Sequence, residues 1–255
     1  LSGEPARLVK CETNDLEVPA DAEIIIEGEI CPDYKVEEGP FGEYTGYRTS
    51  PRDFRVTFRV NCITYRNNAT MTISNMGVPQ DEGQLLRSFS LGLELEKLLK
   101  SQGIPVTGVY MHPRSTHHMM IVGVKPTYSG IAQQIAHLAF GSKLGPWFHM
   151  VMVVDDKTDI YNWDEVYHAF CTRCHPANGI HIYRNSTGTP LYPFATPHER
   201  KHSIGSKVVF DCLWPVDWDP INDVPTLVSF KNVYPKDIQD KVLSNWTAYG
   251  YPPVK

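Results

Sequence analysis

The stretch EEGPFGEY, residues 37–44, sets three carboxylates (Glu37, Glu38 and Glu43) around a Gly-Pro-Phe-Gly corner. Turns are usually built from Gly, Pro, Asn, Asp and Ser, so glutamates here need a reason. Glycines flanking Pro-Phe let the backbone bend sharply, and Phe41 is expected to anchor the bend in the core. A turn pinned this way fixes the directions of Glu38 and Glu43. Carboxyl groups near apolar surface keep their protons to higher pH and can serve as general acids. The competing reading is plain: most loop glutamates are solvated charges. A glycosidase-like acid pair is conceivable, but nothing else in the chain suggests a sugar cleft.

Four other groups invite a chemical reading. Cys171-Thr-Arg-Cys174-His175 has one CxxC spacing, and without a second Cys/His pair it is weak evidence for zinc. Two buried thiols, with Arg173 in an ion pair, explain it as well. His117 and His118 fall in an expected strand, which would send them to opposite faces, one to the core and one to solvent. Asp155 and Asp156 follow an apolar strand at the end where α/β proteins place ligands. Helix capping or an Arg/Lys partner is the favoured explanation for them. Lys143, in FGSKLGPWFH, could meet a phosphate as a point charge, or it is a solvated surface lysine.

The elements that must position these groups follow from periodicity. Ala22–Ile30 and Arg55–Tyr65 read as strands flanking the glutamate turn, and the sequence after the turn signal at Asn67-Asn68 continues in β character. This first quarter resembles part of a barrel or sandwich whose edges lack partners. From Glu82 to Gln102, leucines recur at helical spacing until Gly103. Strands and helices then alternate, as in an α/β domain with a largely covered sheet. Strands are expected in VTGVYMH, HHMMIVGV and WFHMVMVVDD, and helices in YSGIAQQIAHLAFG and NWDEVYHAFCTR, the latter capped by Asn162. Asp223–Val233 is read as an irregular connection with a short strand. Tyr234–Tyr249 is read as a terminal amphipathic helix opened by Pro235.

The composition narrows the function class. The 255 residues carry a net charge of −5 with no basic stripe, which argues against a nucleic-acid partner. No apolar run is long enough to span a membrane as a helix. The first residues have neither an initiator Met nor a cationic and apolar leader, so the chain reads as cut from a longer cytoplasmic polypeptide. The six scattered cysteines fit a reduced compartment better than a disulfide scaffold.

Taken in order, LVKCETNDLEVPADAEIIIEG, EGPFGEYTGY, ITYRNNA, FCTRC, SKVVFD and the terminal YPKDIQDKVLSNW resemble the UbiD family of prenylated-FMN-dependent decarboxylases. The resemblance spans nearly the whole chain, yet only the C-terminal half of such enzymes. It implies an α/β fold, α+β overall: a partial split β-barrel that contributes to flavin binding (residues 1–78), a linking helix (79–103) and an α/β C-terminal oligomerisation domain (104–255) with a terminal helix (234–249). It implies that Glu38 protonates the carbon that CO2 leaves and that Glu43 orients an arginine supplied by the missing N-terminal half. It also implies Lys143 near the flavin phosphate, and Tyr44, Gly83, Arg87, Thr189 and Leu191 around the substrate.

Prenylated FMN would act as an electron sink that bonds to the unsaturated carbon of the substrate. Mn2+ or another divalent metal, together with K+, would be held by ligands outside this chain. Arg87 and Thr189 stand where cinnamate-type members carry apolar groups. Together with the CHPANGIHIYRN region they lean towards the hydroxybenzoate branch, such as protocatechuate or gallate decarboxylases. A heteroaromatic or acrylic acid substrate remains the alternative. The implied partners are an aromatic carboxylic acid, CO2, the N-terminal half and further copies in a dimer or hexamer. As a different class of function, the isolated chain would be an oligomerisation module without activity.

Overall fold

The computed structural model describes residues 3–253. The chain divides into two compact units: one runs to Pro126 and includes Gly130–Leu213, and the other comprises Thr127–Ser129 and the chain from Trp214 onward.

The first unit opens with two short antiparallel strands, β1 (Leu8–Lys10) and β2 (Glu17–Pro19), followed by a long hairpin, β3 (Ile24–Glu38) and β4 (Asp53–Tyr65). The hairpin is longer than alternation alone predicts. β3 runs on through Pro32 because its pairing with β4 shifts register between Cys31 and Lys35, which leaves that segment out of the ladder. A second shift follows Glu27, where a Cβ on Gly28 would lie 2.1 Å from the Arg59 carbonyl oxygen, so only glycine fits. These four strands form two separate two-stranded sheets and close no barrel among the described residues. The region from Arg66 to Gln80 contains no strand, against the β character expected as far as Ser74.

After this the expected alternation holds. Helix α1 (Glu82–Ser101) leads to a five-stranded sheet in the order β5 (Val106–Met111), β6 (Met119–Val124), β7 (Met150–Asp155), β9 (Ile204–Asp211), β8 (Ile180–Thr187). The three central strands are parallel and both edges antiparallel. Helices α2 (Ile131–Gly141), α3 (Trp163–Arg173) and α4 (Pro197–His202) complete this unit.

Strand alternation divides the core between the two faces. Val122, Val151 and Val153 pack with Leu95 and Leu99 of α1 and Ile135 of α2, whereas Ile121, Met152 and Val154 pack with Val166 and Ala169 of α3. Asn162 caps α3, its side chain accepting from the Asp164 amide at 3.2 Å. The second unit holds α5 (Phe230–Val233), where a short strand was expected, and α6 (Lys236–Ser244), shorter than the predicted terminal helix and without a buried residue.

Lys207, His117 and His118 are polar residues buried in this unit. Lys207 alternates with Gly205 and Val209 on the inward face of β9, and its ammonium donates to the carbonyls of Gly145 (2.5 Å) and Phe148 (2.9 Å). Burial brings its pKa down to about 8. His117 and His118 lie before β6, not within it, and both are buried (1% and 7% exposed), contrary to the expected split between core and solvent. Thr116 and His117 have positive φ (53° and 65°), so strand alternation does not operate there.

The His118 ring centroid lies 4.8 Å from that of His149. Burial first, then the neighbouring His149 and His117, pull His118 down to about 3; burial and Lys207 bring His149 to about 4. Both values lie below the ordinary 6.5, so on acidification the unfolded chain takes up protons that the native state refuses. Stability is therefore lost as the pH falls from about 6.5 towards about 4, and the contribution of these groups is flat above that window. Urea unfolding of His118→Phe should show a smaller loss between those two pH values than the wild type. An equal loss would contradict the buried, neutral assignment.

Candidate active site at the glutamate turn

The turn between β3 and β4 begins at Glu38, the last residue of β3, which pairs in register with Asp53. Gly39 and Gly46 both have φ near +80°, a region that side chains disfavour, and they bracket the bend. The amide of Glu43 donates to the Tyr47 carbonyl (3.0 Å) and that of Gly46 to the Glu43 carbonyl (2.9 Å), closing a tight loop. Phe41 is 53% exposed and does not anchor it; Tyr44, 5% exposed, does.

Tyr44 is held by the start of α1. Asp81 and Gln84 form a capping box: the Gln84 amide donates to Asp81 Oδ1 (2.8 Å) and the Asp81 amide to Gln84 Oε1 (3.0 Å). Gln84 Nε2 then donates to the Tyr44 carbonyl at 2.8 Å, and His117 Nε2 meets the Gln84 carbonyl oxygen at 3.2 Å. One helical turn further on, the Arg87 guanidinium lies 5.7 Å from the Tyr44 ring centroid and 4.6 Å from that of Trp147. A second brace comes from Arg200 of α4. Its guanidinium donates to the carbonyls of Thr49 (2.9 Å), Pro190 (2.8 Å), Pro193 (3.0 Å) and Ala195 (3.0 Å), joining the far end of the turn to the loop after β8.

The structure thus brings together four of the residues placed at the site by sequence: Tyr44, Arg87, Thr189 and Glu43. Burial raises the Tyr44 phenol pKa; Thr189 and Arg87 oppose that shift, and the Glu43 charge adds to it. Thr189 is near enough to act on the phenol, yet the buried Tyr44 hydroxyl has no hydrogen-bond partner among the described residues. Leu191 follows on the same loop, its amide donating to Thr189 Oγ1 at 3.3 Å. Gly83 adjoins Gln84 in the first turn of α1, where an added Cβ would come within 3.3 Å of Asp81 Oδ1.

Glu38 lies outside this cluster, half exposed, with Arg55 Nε 3.9 Å from its carboxylate; Glu37 pairs with Arg52 at 3.2 Å. Pairs this exposed hold little energy. Lys143 is exposed in the loop after α2 and makes no ion pair among the described residues.

Other candidates resolve into structure. Asp155 forms a buried ion pair with Arg173 at 2.9 Å and accepts from Thr158 Oγ1 at 2.6 Å. Cys171 is exposed, and Cys174 lies beside Cys212. Among the described residues no group of three His, Cys, Asp or Glu side chains is placed to hold a metal ion. No helix among them is long and apolar enough to cross a membrane.

Gln84 and Arg200 carry the site's geometry, and sequence reasoning did not single them out. The one signal for Gln84 is its place three residues after Asp81, the capping-box spacing.

Residues 1–79 match the 3-octaprenyl-4-hydroxybenzoate carboxy-lyase Rift-related domain, and residues 84–212 match the C-terminal domain of the same family. The chain is 32% identical over 261 residues to ferulic acid decarboxylase 1 of Saccharomyces cerevisiae, covering 98% of this chain and 52% of that protein. It is 27% identical over 259 residues to pyrrole-2-carboxylic acid decarboxylase of Pseudomonas aeruginosa, with the same coverage. The closed form of vanillic acid decarboxylase from Sedimentibacter hydroxybenzoicus superposes with a TM-score of 0.79 at 28% identity, over 94% of this chain and 49% of that one. The UbiD-class enzyme HmfF from Pelotomaculum thermopropionicum, in complex with FMN, gives 0.74 at 28% identity, over 90% and 50%. The chain spans about half the length of the curated relatives it matches. With both domain matches in family order and the fold shared, the chain belongs to the UbiD family of decarboxylases.

Proposed function

We propose that this chain is the C-terminal half of a prenylated-FMN-dependent decarboxylase of hydroxylated aromatic acids of the protocatechuate or gallate type. The observation that carries the reading is the convergence of Tyr44, Arg87 and Thr189 beside a glutamate turn braced at both ends. A guanidinium, a phenol and a threonine hydroxyl beside the turn are hydrogen-bonding groups of the kind that suits ring hydroxyls. An apolar pocket would leave such hydroxyls unpaired, at a cost in binding. In this reading the proton that replaces the carboxylate comes from Glu38, and Glu43 orients an arginine from the N-terminal half.

The residues present fit one part of the cofactor. Lys143 is an exposed cation with no carboxylate partner among the described residues, free to meet a flavin phosphate. When bound, the prenylated flavin supplies the electron sink for decarboxylation. Solved relatives in complex with FMN and with prFMN support that cofactor. Mn2+ and K+ would be held by ligands of the N-terminal half. Residues 1–78 then contribute the C-terminal share of the flavin barrel, 79–103 the linking helix and 104–255 the oligomerisation domain. The exposed terminal helix, residues 234–249 in this reading, would sit at a dimer or hexamer contact in a cytoplasmic enzyme.

A second reading, a heteroaromatic acid substrate, is favoured by the similarity to the pyrrole-2-carboxylic acid decarboxylase. In the parent polypeptide loaded with prenylated FMN, Glu38→Gln should slow CO2 release by about 10²–10⁴-fold with little change in KM. The 255-residue chain alone should release none, and turnover at the parent's rate by the isolated chain would overturn the assignment. Arg87→Leu should lower kcat/KM for 3,4-dihydroxybenzoate by about tenfold relative to an unhydroxylated aromatic acid. A pyrrole carboxylate turned over faster than either would favour the second reading.

A further inference from the structure

Helix α4 carries a pattern that the glutamate turn does not use. His198-Glu199-Arg200-Lys201-His202 reads H-E-x-x-H, and all five residues are helical. On a helix, positions i and i+4 stand one above the other on the same face, so two imidazoles at this spacing can close on one metal ion. The His198 and His202 ring centroids lie 4.6 Å apart, and both residues are exposed. Two imidazoles sharing one tetrahedral zinc ion, each nitrogen about 2.1 Å from the metal, have ring centres about 5 Å apart. The pair therefore already has the separation that a shared ion requires. Neither ring makes a hydrogen bond among the described residues.

The helical turn that carries the rings is held at both ends. Thr196 and Glu199 form a capping box at its start, and the Ser203 amide donates to the Glu199 carbonyl at its end. The Arg200 amide closes the turn on the Thr196 carbonyl at 3.0 Å. The Arg200 guanidinium, a charge that would oppose a cation, is engaged with the carbonyls of Thr49, Pro190, Pro193 and Ala195. A chelate on such a turn needs little further ordering of the backbone. Glu199 Oε2 accepts from the Thr196 amide (2.8 Å) and hydroxyl (2.9 Å), so the glutamate that acts as general base in H-E-x-x-H hydrolases is committed to the cap. Among the described residues no third His, Cys, Asp or Glu completes a ligand set, which leaves the remaining positions to water.

We propose that His198 and His202 chelate one divalent transition-metal ion of the class that prefers imidazole, with Zn2+ as its representative. The site binds an exchangeable ion and performs no hydrolysis. It is separate from the metal assigned above to ligands of the N-terminal half, and it does not depend on the decarboxylase reading.

NMR of the 255-residue chain with ¹⁵N-labelled histidine, titrated with Zn2+, follows each ring separately. The His198 and His202 resonances should move together and saturate with one affinity, whereas Mg2+, which takes oxygen ligands, should move neither. His202→Asn should weaken Zn2+ binding at His198 by at least about tenfold, and His198→Asn should do the same at His202, because each removes the second arm of a chelate. Glu199→Gln, which keeps a capping-box side chain, should leave the affinity unchanged. Rings that titrate with different affinities, a His198 response indifferent to His202→Asn, or Zn2+ taken up only at His175 beside Cys171 and Cys174 would each overturn the site. Because no turnover is measured, failure here leaves the decarboxylase reading intact, and loss of that reading leaves this site intact.

Discussion

One buried amide holds the candidate site in place. Gln84 completes the capping box of α1 and, from the same side chain, donates to the backbone carbonyl of Tyr44. The helix start, a local feature, and the glutamate turn, forty residues earlier in the chain, therefore share one hydrogen-bond network. Gln84 is fully buried, so each of these bonds is made in a low-dielectric setting where an unpaired group is expensive. The direction of Tyr44, and with it the position of the turn against Arg87, follows from that network.

The α/β sheet supplies the rigid ground for this arrangement. α1 lies on one face through Leu95 and Leu99, which sets where Gln84 and Arg87 emerge. Lys207 ties β9 to the loop carrying Gly145 and Phe148, and Trp147 between them faces Arg87. The apolar residues of α1 are divided: Leu95 and Leu99 are buried, while Leu85, Leu86, Phe89 and Leu93 stay largely exposed. The β3–β4 hairpin likewise exposes Ile26, Ile30, Phe58 and Val60 on a sheet of only two strands. Both observations suit a chain that covers about half of its relatives.

Elements fixed by local periodicity were legible in the sequence: α1 from its leucines and β7 from its apolar run match their expected spans closely. What failed depends on backbone geometry or on distant partners. Phe41 looked like the anchor because it stands between glycines, yet burial of the turn is decided by where α1 begins, and that selects Tyr44. The histidine pair was read through strand alternation, which a left-handed backbone at Thr116 and His117 suspends. Strand β3 passes a proline because a register shift removes that segment from the ladder, a choice no local pattern reveals. Tyr44, Arg87 and Thr189, which lie near one another here, were grouped only through resemblance, whereas Arg200 acts on carbonyls from distant segments and has no sequence signature.

The functional account stands on the turn being a held structure, not a solvated loop. Hydrogen–deuterium exchange of Gln84→Met, a substitution of similar volume, tests this most directly. The account predicts that the amides of Glu43 and Gly46 exchange at least about tenfold faster in the variant while the β6–β7–β9 strands keep their protection. Unchanged exchange at those two amides, or an equal acceleration across the sheet, would contradict it.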